Sequence, residues 1–245
     1  MANIRLLLEY DGSKFHGWQK QPSVRTVQEE LHKVLELVLQ EKIHHVQCSG
    51  RTDEGVHSRG QVANFFVEKV PDLIRLKRSV SSIMKGDLSV LEVEIVPDTF
   101  HSLRSAKSKF YRYVIYNSDV PPVLEKGQVW LVHRDLDIER MKREALLLLG
   151  KQDFACFQGS GCGSTSTIKT IYKSEIISNP PYIYYEVIGS GFLKHMVRNI
   201  VGTLVEFGKN EGKASSMKEL LESKNRQLAG PTAPGWGLCL EYVEY

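Results

Sequence analysis

Two hydrophobic rhythms run along the chain, and their order lays out its elements. Residues 3–10 form a short apolar run closed by Asp11-Gly12, the pattern of a buried strand entering a turn. A helical rhythm follows, with Val27, Leu31, Val34, Leu35 and Val38 on one face. Thr26, with Glu29 three residues on, predicts a capping box at its start. Strands predicted at 46–48 and 61–67 flank a polar loop over 49–60, and a helix over 72–84 leads to an alternating strand at 89–96. The order is β-α-β-β-α-β.

The second half repeats this order without repeating the sequence. Residues 107–116 are strand-like, 138–149 read as a helix stopped by Gly150, and 168–177 and 182–188 as strands. A helix predicted over 192–207 ends at Gly208, and 237–243 closes the unit as a strand. The predicted fold class is therefore α+β: two ferredoxin-like halves, 1–105 and 106–245, whose antiparallel sheets join into one mixed platform with helices on one face. The glycine-rich stretch 159–163 and the segment 227–237 read as loops.

Composition narrows the class further. Of 245 residues, 42% are hydrophobic and 25% charged, which suits a chain with a sizeable core and argues against disorder. No apolar run reaches the ~20 residues of a membrane span, and the first residues lack a signal pattern, so a soluble cytoplasmic protein is expected. The four cysteines at 48, 156, 162 and 239 form no CxxC, which predicts reduced thiols rather than a zinc site or disulfide framework. The net charge of +3 is too small to argue for nucleic acid by itself.

Three stretches carry candidate chemistry. The loop Gly50-Arg51-Thr52-Asp53-Glu54-Gly55-Val56-His57 places a carboxylate, Asp53, two residues from a guanidinium, Arg51, between glycines that permit tight turns. An ion pair there keeps the acid ionised and oriented, as a nucleophile or base requires; an ordinary turn with a surface salt bridge has the same composition. In the strand over 107–116, Lys107, Lys109, Tyr111 and Tyr113 share one face, offering cations for phosphates and rings for an unstacked base, although a core tyrosine with a bonded hydroxyl fits the spacing too. At the start of the helix over 192–207, Lys194 and Arg198 stand at i and i+4 beside the positive end of the dipole, where they hold a phosphate or form a solvated face. His195 reads as a hydrogen-bonded helper. The glycine-rich stretch lacks Gly-Lys-Ser/Thr, so a Walker-type nucleotide loop is not predicted.

Taken together, these blocks resemble the tRNA pseudouridine synthase A family over nearly the whole chain. The resemblance rests on Glu9-Tyr10-Asp11-Gly12-Ser13, Phe15-His16-Gly17-Trp18-Gln19, Thr26 to Leu31, the loop Gly50 to His57 with Gly60-Gln61-Val62, then Lys109 to Asn117, Asp153-Phe154 and Phe192 to Gly202, all in the family's order. It implies that Asp53 is the catalytic aspartate, Arg51 its ion-pair partner, and Tyr111 the ring packed on the target base. Lys109, Lys194, His195 and Arg198 are then expected to contact the RNA. It further implies no metal, no organic cofactor, and a homodimer acting on the tRNA anticodon arm at positions 38, 39 and 40. The chain departs from the family at Glu54, where alanine is usual, and at Gly235-Trp236, where a proline-rich pair is common. Glu54 places a second negative charge beside Asp53.

The preferred function is isomerisation of uridine to pseudouridine in a nucleotide extruded from the helix. A noncatalytic RNA-binding or chaperone module on the same platform explains the Lys/Tyr strand but leaves the Asp53 loop without a role. A metal-dependent RNA hydrolase lacks a second carboxylate at ligand spacing.

Overall fold

A computed structural model describes residues 1–245, and the chain divides into two compact units. The first comprises Met1–Lys107 with Cys239–Tyr245, the second Ser108–Leu238. The last strand does not stay with the second half: β10 (Leu238–Glu244) lies in the first unit from Cys239 onward, where Cys239 and Leu240 run parallel to His57 and Ser58. Periodicity identifies a strand but not its neighbours, so element order alone assigned it to the wrong half.

In the first unit, β1 (Ala2–Tyr10) is the central strand, antiparallel to both β3 (His57–Val67) and β4 (Leu88–Val96). The far edge of β3 is shared by β10 and the two-residue β2 (Gln47–Cys48). Ile4, Leu6, Leu8 and Tyr10 alternate onto one face and meet Ala63, Phe65 and Val67 there. Over them pack Val27, Leu31 and Leu35 of α1 (Val27–Leu39) and Leu76 and Val80 of α2 (Leu73–Ile83). The opposite face is polar and partly covered. Asn64 Nδ2 donates to Asn3 Oδ1 at 3.0 Å, and Asn3 Nδ2 donates to the carbonyls of Pro97 and Phe100, which holds the segment 97–102 on the sheet.

Thr26 sits at the N-cap of α1 as expected, but the capping box does not form. Its Oγ1 is buried with no partner, and Glu29 lies 3.6 Å from Lys20 and 3.5 Å from Lys33 instead. The first-turn N–H groups of Val27 and Gln28 donate to the carbonyls of Gly17 and Trp18, at 3.1 and 2.9 Å, so the preceding loop caps the helix with its backbone.

The second unit carries the sheet β6-β5-β9-β8-β7, with β5 at Ser108–Asn117, β6 at Trp130–Val132, β7 at Gly150–Asp153, β8 at Ile168–Asn179 and β9 at Tyr182–Gly189. Helix α3 (Ile138–Leu146) is tied to β8 by Ser174 Oγ, which donates to the Ala145 carbonyl at 2.7 Å. Helix α4 (Met196–Gly208) is buried nearly all round, and α5 (Met217–Ser223) follows it. Three of these elements escape the hydrophobic pattern. β6 has three residues, β7 reads Gly-Lys-Gln-Asp on a sheet edge, and α5 spans two turns. Gly150 does not end a long helix. It opens β7 at φ +93°, after α3 has closed four residues earlier.

On the face of this sheet away from the core, Arg112 and Glu186 pair across β5 and β9, with Arg112 Nε and Nη2 at 2.9 and 2.8 Å from Oε1, while Lys173 Nζ reaches Oε2 at 2.6 Å. Burial pulls the Glu186 carboxyl upward, but these two cations outweigh it and leave its pKa below the ordinary glutamate range. A lowered folded-state pKa stabilises above the unfolded value, and the gain is lost as pH falls through the folded one. Glu186→Gln is thus expected to lower Tm at neutral pH, with the gap to the parent closing between about pH 5 and pH 3. A constant gap across thermal melts in that range would remove the ion cluster from the account.

Candidate active site

The loop between β2 and β3 is built from both ends. Ser49 N–H donates to the Val62 carbonyl at 2.8 Å, which keeps the strands in register up to the loop mouth. Beyond it Thr52 points inward, 6% exposed, while Arg51 is exposed and Asp53 is half-buried. The Val56 N–H donates to the Asp53 carbonyl at 3.2 Å, and Gly55, at φ +76°, supplies the left-handed residue this turn requires.

The loop rests on the segment that follows β1. The Trp18 N–H donates to the Thr52 carbonyl at 3.0 Å, and Gly17, at φ +83°, lies so close that a Cβ there would stand 2.8 Å from that oxygen and 3.2 Å from the Asp53 carbonyl carbon. Gly12 approaches as closely on the other flank, against Val56. His57, the first residue of β3, accepts the Gly12 N–H at Nδ1 (3.1 Å) with Asp11 Oδ1 at 3.2 Å. Burial raises the Asp11 carboxyl, but the Ser13 hydrogen bonds, His57 and Lys14 outweigh it and hold its pKa below the usual carboxylate value. These glycines, with Tyr10, Trp18, Gln61 and His57, are the parts of the site that residue chemistry alone did not single out. Their only signal was that the blocks around Asp11-Gly12 and Gly17-Trp18 accompany the acidic loop.

Arg51 is exposed, so its guanidinium reaches solvent. Glu54 is also exposed, with its carboxylate 3.7 Å from His16 Nε2, so its charge faces that imidazole and water.

In the second unit, Lys109, Tyr111, Tyr113 and Ile115 share the inward face of β5, as the alternation predicts. Lys107 precedes the strand and lies outside that set, in the first unit, where its Nζ donates to the Tyr245 carbonyl at 3.0 Å. Tyr113 is a core residue whose hydroxyl donates to the Pro234 carbonyl at 2.8 Å. Tyr111 is 8% exposed and meets Phe192 edge-on, with ring centroids 5.2 Å apart and planes at 87°. Lys109 is equally buried.

Lys194 and Arg198 do not share a helical face. His195 occupies the N-cap of α4 at φ +63°, so the helix begins at Met196 rather than at 192, and Lys194 lies outside it. Lys194 Nζ donates to the Ser160 carbonyl at 2.9 Å and its backbone carbonyl accepts the Gly159 N–H at 2.8 Å, which ties the glycine-rich loop to the helix start. Arg198 Nε donates to the Ala233 carbonyl at 2.7 Å. Between them and the loops runs Asn199, fully buried: its Nδ2 donates to the Phe157 carbonyl, and its Oδ1 accepts from Arg226 and Thr232. All four cysteines are free thiols, and burial pushes those of Cys156 and Cys239 up to about 12. No three metal-ligating side chains converge, and no helix is long and apolar enough to cross a membrane.

An α+β chain that carries one acid on a glycine-flanked loop, braced by the segment around Gly17-Trp18, defines the class to which comparison with known proteins then points. The family model described as tRNA pseudouridine synthase matches residues 7–103 and 145–245. Proteins named tRNA pseudouridine synthase A are similar throughout: that of Moorella thermoacetica is 41% identical over 248 residues, spanning all of both chains. Those of Citrifermentans bemidjiense and Escherichia coli O9:H4 are 40% and 43% identical, covering 100% and 99% of this chain and 98% and 89% of theirs. The chain belongs to the tRNA pseudouridine synthase family.

Proposed function

We propose that this protein converts uridine to pseudouridine in the anticodon arm of tRNA, at positions 38, 39 and 40, with Asp53 as the reacting carboxylate. The observation that carries the reading is the placement of a half-buried Asp53 on a loop whose two flanks are anchored, in a chain that matches its family over both units. The reaction breaks the bond from uracil N1 to ribose C1′ and forms one from C5 to C1′; the C5 proton leaves and N1 gains one, so atoms balance with no co-reactant. A stacked, paired base cannot rotate in this way, and the nucleotide must leave the helix at a cost of about a few kcal/mol that protein contacts offset.

Asp53 serves as nucleophile or base on the opened nucleotide. Tyr111, braced edge-on by Phe192, supports the uracil and accepts the role of removing the C5 proton. Arg51, exposed beside the loop, is assigned to the RNA opened at the target. Lys109, Lys194, His195 and Arg198 are assigned to the RNA backbone, and the working form is a cytoplasmic homodimer. Recognition then rests on shape and phosphate position, with only uracil read in the pocket.

Purified protein incubated with tRNA is expected to produce pseudouridine confined to the anticodon arm. Binding should weaken steeply with salt, and less steeply in Lys194→Ala and Arg198→Ala. Pseudouridine mapped elsewhere, or tight tRNA binding with none formed, would replace this reading with the noncatalytic RNA-binding module.

A further inference from the structure

Beneath the acidic loop lies a chain of buried polar groups that the reaction itself does not use. Ser49 Oγ donates to Gln61 Oε1 at 2.7 Å. Gln61 Nε2 donates to the Gly50 carbonyl at 2.9 Å and to the Tyr10 hydroxyl at 3.4 Å. An amide nitrogen only donates, so the Tyr10 oxygen is the acceptor there, and the same hydroxyl shares a hydrogen bond with Thr52 Oγ1 at 2.8 Å. Ser49 and Gln61 are fully buried, Tyr10 is 3% exposed, and the phenol ring is wedged edge-on to Phe15 and tilted against Trp18, each with centroids 6.3 Å away.

We infer that Tyr10 is a positioning residue for the isomerisation: through its bond to Thr52 it sets the rotation of the segment from which Asp53 projects, without touching RNA. Two independent ties support the inference. The Thr52 side chain is held by Tyr10 and its carbonyl by the Trp18 N–H, so both ends of one residue are fixed to the first unit's core. That residue is the direct neighbour of Asp53, and a small rotation of it moves the carboxylate by most of an ångström. Burial raises the Tyr10 pKa far above its ordinary value, so the group remains a phenol throughout the working range and acts as a strut, not as an acid or base.

The inference rests on Asp53 being the reacting group, and the test separates the two. Tyr10→Phe keeps the ring wedge, and Thr52→Val keeps the volume; each removes the same bond. Either substitution is expected to lower kcat for tritium release from uracil-labelled tRNA by about 10- to 100-fold, with KM within about two-fold and the shape of the pH profile unchanged. The double variant is expected to be no slower than the worse single one, because both remove one interaction. Thr52→Ser, which restores the hydroxyl, is expected to recover most of the rate. Additive losses, an altered KM, a lost limb of the pH profile, or a slow Thr52→Ser with normal folding would each overturn the positioning role. Asp53→Asn assayed alongside distinguishes the failures: an active Asp53→Asn sinks the Asp53 assignment, whereas an inactive one beside a fast Tyr10→Phe sinks only the Tyr10 inference.

Discussion

Asp53→Asn is expected to abolish pseudouridine formation, by roughly 10⁴-fold in kcat, while tRNA affinity stays within about two-fold of the parent. The amide has the shape of the carboxylate but neither its charge nor its capacity to form or break a bond to the nucleotide. The turn that presents it depends on backbone groups: the Asp53 carbonyl accepts from Val56, and Thr52 is anchored independently through its own carbonyl and hydroxyl. The substitution leaves these backbone anchors in place and removes the chemistry. Tritium release and filter binding on the same preparations check both halves of the expectation. Turnover at the parental rate would remove Asp53 from the reaction, and joint loss of binding and turnover would reduce it to a structural turn residue.

Gly12→Ala is expected to act through space rather than charge. A Cβ at position 12 would stand 2.2 Å from the Val56 oxygen and 2.3 Å from its carbonyl carbon, distances at which something must move, and both neighbours are backbone. The Val56 peptide must retreat, taking Gly55 and the turn that closes on the Asp53 carbonyl with it. A displacement of that size costs about 100-fold in kcat, and overpacking costs about 1–3 kcal/mol, read as a fall in Tm of several degrees in a chain of this size. An alanine variant with parental kcat and Tm would show that the two loops move freely past each other and that the approach at Gly12 is without consequence.

The two expectations bear on how much of the site was legible in advance. Asp53, its glycine neighbours and the inward face of β5 with Lys109, Tyr111 and Tyr113 follow from residue type and spacing, because turns and strand alternation are local properties. The start of α4 did not follow. Its apolar stripe extends back through Leu193, but His195 adopts a left-handed conformation that periodicity does not encode, and the pairing of Lys194 with Arg198 dissolved with it. The anchoring of Thr52 by Tyr10 is likewise a contact between distant segments that residue spacing does not encode.

The element order of the first half, the glycine-flanked acidic loop and the family membership were determined by the sequence itself, since hydrophobic rhythm and motif spacing are written residue by residue. Tertiary structure alone decided that the last strand joins the first unit, that loop carbonyls cap the start of α1, and that Tyr10, Gln61, Gly12 and Gly17 brace the acidic loop. Those are contacts between segments far apart in the chain. They exist only where close packing brings those segments together so that their buried carbonyls, amides and hydroxyls can meet.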